Sequence, residues 1–236
     1  MKRQCGEVLM LLTGLSTAFF ASGCSTFGIR SGTEQPSYTV VGTLGDNVEI
    51  RRYGLRLVAE VVVTGEEERA RSAGFRKLAA FIFGDNRARQ SISMTAPVSQ
   101  AASEKIAMTA PVSQAEGGSG RWRVRFFVPS EYTRETLPEP NGPDIAILEL
   151  PPETLAVLRF SGSRAPSAVH EAIAELLGVI DGSEWRVSGQ PTAFFYDPPW
   201  TLWFLRRNEV AVSVKSDGVI SGLNSLPEKG EAARHR

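Results

Sequence analysis

Apolar residues recur along this chain with two different periods, and each change of period marks an expected element. In VEIRRY (residues 48–53), and again through residues 55–63, apolar positions alternate and then run together, as in β-strands. Thr64 and Gly65 end the second of these. From residue 66 the period lengthens. Phe75, Leu78, Ala79 and Ile82 share one stripe of a helix over residues 66–83, with Glu66, Glu67 and Glu68 at the positive end of its dipole. Trp122, Val124, Phe126 and Val128 alternate with Arg121, Arg123, Arg125 and Phe127, which predicts a strand ended by Pro129. A second helical stripe follows in Val169, Ala172, Ile173, Leu176, Leu177 and Ile180, and residues 210–214 read as a final strand.

Much of this pattern occurs twice. Ala59 matches Ala156, Val61 matches Leu158, Val63 matches Phe160, and Thr64-Gly65 matches Ser161-Gly162. After a shift of one residue, Phe75 matches Ile173, Leu78 matches Leu176 and Ile82 matches Ile180. The chain therefore reads as two copies of strand–strand–helix–strand. Neither copy covers its own sheet, so the two must pack together into one α+β domain with a groove where they meet.

A shorter repeat lies within the first copy. MTAPVSQ occupies residues 94–100 and returns at 108–114. Ile92, Met94, Ala96 and Val98 would share one strand face, and Ile106, Met108, Ala110 and Val112 the next, with residues 100–105 as the loop between them. The proline in each copy removes one ladder hydrogen bond. The expectation is a structural hairpin whose apolar faces adjoin the groove.

The ends differ from the middle. Lys2 and Arg3 precede an almost uncharged run over residues 8–21, too short to span a bilayer comfortably, and then Ala21-Ser22-Gly23-Cys24. This order resembles a bacterial lipobox. It predicts a signal peptide over 1–23, lipidation of Cys24 and, with Ser25 next, an outer-membrane anchor facing the periplasm. An ordinary secretory signal with an incidental cysteine is the alternative. Residues 24–37 read as a tether, 38–214 as the domain and 215–236 as a loose tail. The chain has two cysteines, Cys5 and Cys24, so the domain itself has no thiol for a disulfide or metal cluster.

Charge narrows the choice of partners. Lys plus Arg and Asp plus Glu each total 26, which leaves no basic surplus for nucleic acid; a monomer is expected. The two histidines are His170 and His235, and GxSxG, HExxH and P-loop patterns are absent. No enzyme is expected.

The strongest remaining segment is YDPPWTLWFLRRNEV, residues 196–210, in which two prolines enforce an extended turn before an aromatic cluster and two arginines. Together with KIAMTAPVSQ (105–114), it resembles the SOUL family of haem- and tetrapyrrole-binding proteins, with residues 38–214 fitting. The resemblance implies a distorted antiparallel β-barrel of two pseudo-symmetric halves flanked by two α-helices. It also implies a shallow apolar haem site without the usual axial-ligand motif, to which the first helix contributes, and the groove between that helix and the aromatic loop is its expected place. On that basis Phe75, Lys77, Leu78, Phe81, Tyr196, Trp200, Trp203, Arg206 and Arg207 are the expected ligand contacts. Phe81 stands about 120° off the helix stripe, which would free it for a ligand. Arg123 and Arg125 are further candidates for pairing a ligand carboxylate. Met94 and Met108 would add apolar surface or, less expectedly, a thioether to iron. His170 is a subordinate axial-ligand candidate. Some relatives carry a lysine where this chain has Thr201, which weakens one propionate contact. Two functions stay open: a non-enzymatic haem or tetrapyrrole binder held at the cell envelope, and an envelope structural or interaction domain that keeps the fold without a ligand.

Overall fold

The two-copy pattern folds as a single curled sheet, in a computed structural model that describes residues 33–88, 103–198 and 200–217. The first copy supplies β2 (Val48–Tyr53), β3 (Arg56–Thr64), α1 (Glu67–Ile82), β5 (Val112–Glu116) and β6 (Arg121–Phe127). The second supplies β8 (Ile145–Leu150), β9 (Glu153–Phe160), α2 (Pro166–Asp181), β11 (Thr192–Phe195) and β12 (Asn208–Ser216). Four further strands were not evident from periodicity. β1 (Tyr38–Leu44) forms an exposed edge, β10 (Trp185–Val187) pairs with β12, and the short β4 (Asn86–Arg87) pairs with β7 (Glu139–Pro140).

All pairings in the main sheet are antiparallel, in the order β1-β2-β9-β12-β11-β5-β6-β3-β8. The copies trade their first strands. β2 pairs not with β3 but with β9, setting Ile50 opposite Ala156; β8 pairs with β3, setting Ile147 opposite Ala59. These two contacts are pseudo-symmetry mates, as are Val61 opposite Val124 and Leu158 opposite Val210. The same register makes Arg123 and Glu209 equivalent positions, because Arg123 lies opposite Val62 and Glu209 opposite Arg159.

Both helices cover the outer face. Leu78 and Ile82 of α1 pack on Ala59, Val61, Val124 and Phe126; Val169, Ala172, Leu176 and Ile180 of α2 pack on Ile50, Ala156, Leu158 and Val210. The predicted stripes are therefore the buried ones. Phe81 departs from expectation: it is 1% exposed, in the same cluster as Ile106 and Leu137. The segment after α1 and the Leu137 turn cover a second flank of the helix, so a residue off the stripe is buried too.

α1 approaches β6 most closely at Gly74, where a Cβ would stand 2.6 Å from Cγ2 and 2.7 Å from Cβ of Val124, itself wholly buried. Glycine ordinarily costs a helix about 1 kcal/mol relative to alanine, but here alanine would collide with an immobile side chain. Gly74→Ala is expected to destabilise the fold by about 1–3 kcal/mol. Gly178→Ala on α2, with nothing within 4 Å of the added methyl, should stabilise it slightly. Thermal midpoints of the two variants should move in opposite directions; two upward shifts would show that α1 is not held against Val124.

The repeated segment is visible in its second copy. Residues 106–111 do not form the predicted strand, which starts only at Val112, after the prolyl nitrogen of Pro111 that has no proton to donate. The backbone here is held individually: the Ile106 N–H donates to the Ile82 carbonyl at 2.9 Å, the Ala110 N–H to the Glu34 carbonyl at 2.9 Å, and the Thr109 hydroxyl to the Phe127 carbonyl. Ile106 is core, whereas Met108 is 40% exposed, so the two do not share a buried face. The first copy, including Met94, lies outside the described residues, as do Cys24 and the stretch 218–236.

Candidate functional site

The inner face of the half-barrel has an apolar waist of Tyr53, Val58, Phe127, Leu155, Val157, Phe194 and Ala211. To one side lies a buried ionic knot. Glu209, with 0% exposure, accepts from Arg51 at 2.9 and 3.2 Å, from Arg207 at 3.0 and 2.7 Å and from the Tyr196 hydroxyl at 2.6 Å. Burial alone would raise its pKa. The hydrogen bonds and charge of Arg51, then Tyr196 and Arg207, outweigh burial and hold the carboxyl below its usual range. Burial and the same carboxylate push the Tyr196 hydroxyl up, so it stays a proton donor. Tyr196 and Arg207, expected as ligand contacts, are thus engaged in the fold. Arg51 and Glu209 were missed by sequence reasoning, because nothing in the local pattern of either strand shows that the other is its partner.

Outside this knot the 196–210 segment forms a prominent apolar surface. Trp200, Leu202, Trp203 and Phe204 are 65, 38, 64 and 55% exposed. Trp203 and Phe204 meet edge to face at 5.7 Å within the short 3-10 turn Trp203–Leu205. Gly162 gives Trp203 its support: the Gly162 N–H donates to the Trp203 carbonyl at 3.1 Å, and the indole lies over the glycine. Thr201 is 1% exposed, so the position where relatives carry lysine points inward here.

Arginines gather behind this loop. Arg71 of α1 donates to the Arg164 carbonyl at 3.0 Å and lies 4.7 Å from the Phe195 ring centre; Arg164 donates to the Asp197 carbonyl at 3.2 Å. Arg206 donates to the Thr201 carbonyl at 2.8 Å. Burial first, then the charges of Arg206 and Arg71, push the Arg164 guanidinium down to about 10, still charged at neutral pH. Asp197 and Glu68 offset part of this positive charge. Beside the aromatic surface opens a concavity of about 810 Å³, walled by β1, β2 and β9 together with Phe204, Leu205, Arg206 and Arg207. Four arginines line it (Arg51, Arg159, Arg206 and Arg207) against two carboxylates, Asp46 and Glu49. Arg159 was not anticipated; its place on β9, beside the loop, depends on pairing distant in sequence.

The other expected contacts lie apart from this surface. It is the N-terminal turns of α1, through Arg71, that adjoin the loop region. Further along α1, Phe75 packs edge-on to Phe126 at 5.4 Å, Leu78 and Phe81 are core, and Lys77 pairs with Asp144 at 2.6 Å. Arg125 pairs with Glu60 at 2.6 Å on the inner face. His170 is exposed and stands 3.2 Å from Glu67 across the two helices. Among the described residues no group of three or more His, Cys, Asp or Glu side chains is placed to hold a metal ion.

The sequence of this chain matches known proteins over most of the described residues. The profile of the SOUL heme-binding protein family matches residues 33–213. The chain belongs to the SOUL family. Heme-binding protein 2 of Homo sapiens is 27% identical over 175 residues, spanning 68% of this chain and 78% of its own length. The Mus musculus Heme-binding protein 2 is 25% identical over 182 residues, spanning 71% and 82%. Among solved structures, the EcmrR C-terminal domain superposes with a TM-score of 0.53 at 10% identity, covering 76% of this SOUL chain and 98% of its own, a likeness of fold alone.

Proposed function

We propose that this SOUL protein binds haem or a related tetrapyrrole, without catalysing a reaction, on the surface formed by Trp200, Leu202, Trp203 and Phe204 and the concavity beside it. The observation that carries this reading is four large apolar side chains held in solvent on a turn, with arginines close behind them. Soluble domains rarely expose such a patch without a partner. A flat macrocycle laid on it removes several hundred Å² of apolar surface from water, at about 25 cal/mol per Å². After the cost of association, that suffices for micromolar affinity with no iron–protein bond. Arg159 and Arg206, both lining the concavity, are the cations proposed to face the propionates.

Haemin titrated into the purified full chain should give a Soret shift and quench tryptophan emission. Trp203→Ala with Phe204→Ala should weaken binding about tenfold or more, since each aromatic contributes ~1–2 kcal/mol of contact. His170→Ala should leave the spectrum unchanged. Loss of the Soret shift in His170→Ala alone would mean histidine ligation and defeat this reading; no haemin binding at all would favour a protein-docking role for the loop.

The same proposal places the domain on a lipid anchor at Cys24, in the cell envelope and facing the periplasm, on the strength of the Lys/Arg, apolar and Ala-Ser-Gly-Cys order. Cys24→Ala should move the protein from the membrane to the soluble fraction or block its processing. A variant that is processed and sediments like wild type would exclude the anchor.

A further inference from the structure

On the side of the apolar waist away from the Glu209 knot, the inner face forms a partly open cavity of about 190 Å³. Its charged lining is Arg56, Arg123, Arg125 and Glu153. Two of the three arginines are neutralised inside the fold. Arg56 donates to Glu153 at 2.5 Å, with Ser213 donating to the same carboxylate at 2.8 Å, and Arg125 is held by Glu60 at 2.6 Å. Arg123 has no carboxylate among the described residues; one terminal nitrogen donates to the Glu116 carbonyl at 3.3 Å. Two buried side-chain polar atoms of the described residues have no hydrogen-bond partner, the Nε of Arg56 and the Nε of Arg123, and both belong to residues lining this cavity. The Arg56 side chain is 93% buried.

Both Nε–H groups are sealed from the cavity, so an entering ligand would meet the terminal nitrogens of these lining arginines, and the one uncompensated positive charge specifies an acceptor that carries a single negative charge. The rest of the lining specifies its body. Phe127, Phe194 and Leu155 form an apolar floor beside the polar side chains of Ser113, Gln190, Thr192 and Ser213, and the volume admits a group of a few carbons or one ring. We propose that this cavity is a second binding site, distinct from the aromatic surface, for a small organic monocarboxylate whose oxygens accept from Arg123 and Arg56 and whose apolar end rests on Phe127 and Phe194. No residue of the aromatic loop lines it, so it does not depend on the haem reading.

Benzoate, its neutral isostere benzamide and inorganic phosphate are suitable probes of the full chain. Benzoate should bind saturably and shift the arginine Nε–H resonances of Arg56 and Arg123 together in ¹⁵N spectra. Benzamide and phosphate should each bind at least tenfold more weakly, the first for want of charge and the second for want of an apolar body. Arg123→Met should weaken benzoate at least tenfold. Ala115→Leu, which fills the cavity without altering charge, should do the same, with circular dichroism confirming that both variants are folded. Haemin titration of Arg123→Met should match wild type. Equal binding of benzamide, equal binding of phosphate, unmoved Nε–H resonances, or loss of haemin binding in Arg123→Met would each overturn the assignment.

Discussion

Residues 38–140 and 141–214, expressed separately, should each fail to give a folded domain. Cutting there strips β9 from β2, β8 from β3 and β11 from β5, three full antiparallel pairings. Each fragment would keep a helix but lose the strands that complete the sheet beneath it, exposing apolar faces such as Val58 and Phe127 in one and Leu155 and Val157 in the other. The expectation is poorly dispersed amide spectra and aggregation for each alone, with native-like dispersion regained on co-refolding. A cooperative melt from either isolated fragment would show that the strand exchange is not what unites the halves.

Glu209→Gln should be the most damaging single substitution in the domain. It removes the buried countercharge shared by two guanidiniums, of which Arg51, only 3% exposed, keeps its pairing with Glu49 at 2.7 Å, while leaving shape almost unchanged. Breaking one side of a buried ion pair costs about 3–5 kcal/mol, because the other charge stays desolvated. The pH dependence has a definite sign. The Glu209 pKa in the folded state lies below its ordinary 4.5, so its stabilisation is complete above that value and is lost as pH falls through the lower folded-state value. Urea midpoints of wild type should drop in that acid window, and those of Glu209→Gln should lack this component. A variant within about 1 kcal/mol of wild type at neutral pH would mean that the knot contributes little net stability.

What the sequence revealed was whatever rests on local periodicity. The stripes of α1 and α2 were readable from residues three and four apart, and β6 and β12 from simple alternation. The two-copy pattern came from matching pairs such as Ala59 with Ala156. What it concealed were partnerships. That β2 pairs with β9 rather than with its neighbour β3 leaves no trace in either strand's own pattern. β1 escaped notice because, as an exposed edge, it carries no buried face to alternate with. Phe81 was misread because a helix wheel assumes one covered side, whereas Ile106 and Leu137 cover another. The 106–111 segment was misread as a strand because alternation survives where Pro111 has already broken the ladder. On the exposed loop surface, Trp200, Trp203 and Arg206 were legible as an aromatic and basic cluster. Arg159 was not, since only the folded sheet brings it to the concavity.

The equivalence of Arg123 and Glu209 has a consequence for how this inner space can be used. A duplicated half-barrel with identical halves would present the same face to an entering molecule from either end, so an unsymmetrical guest would have two equally good orientations. Here one copy of the position is a cation with an unsatisfied donor and the other an anion sealed by Arg51 and Arg207. The duplication therefore built a symmetric container, and two opposite charges at one repeated position gave it a direction.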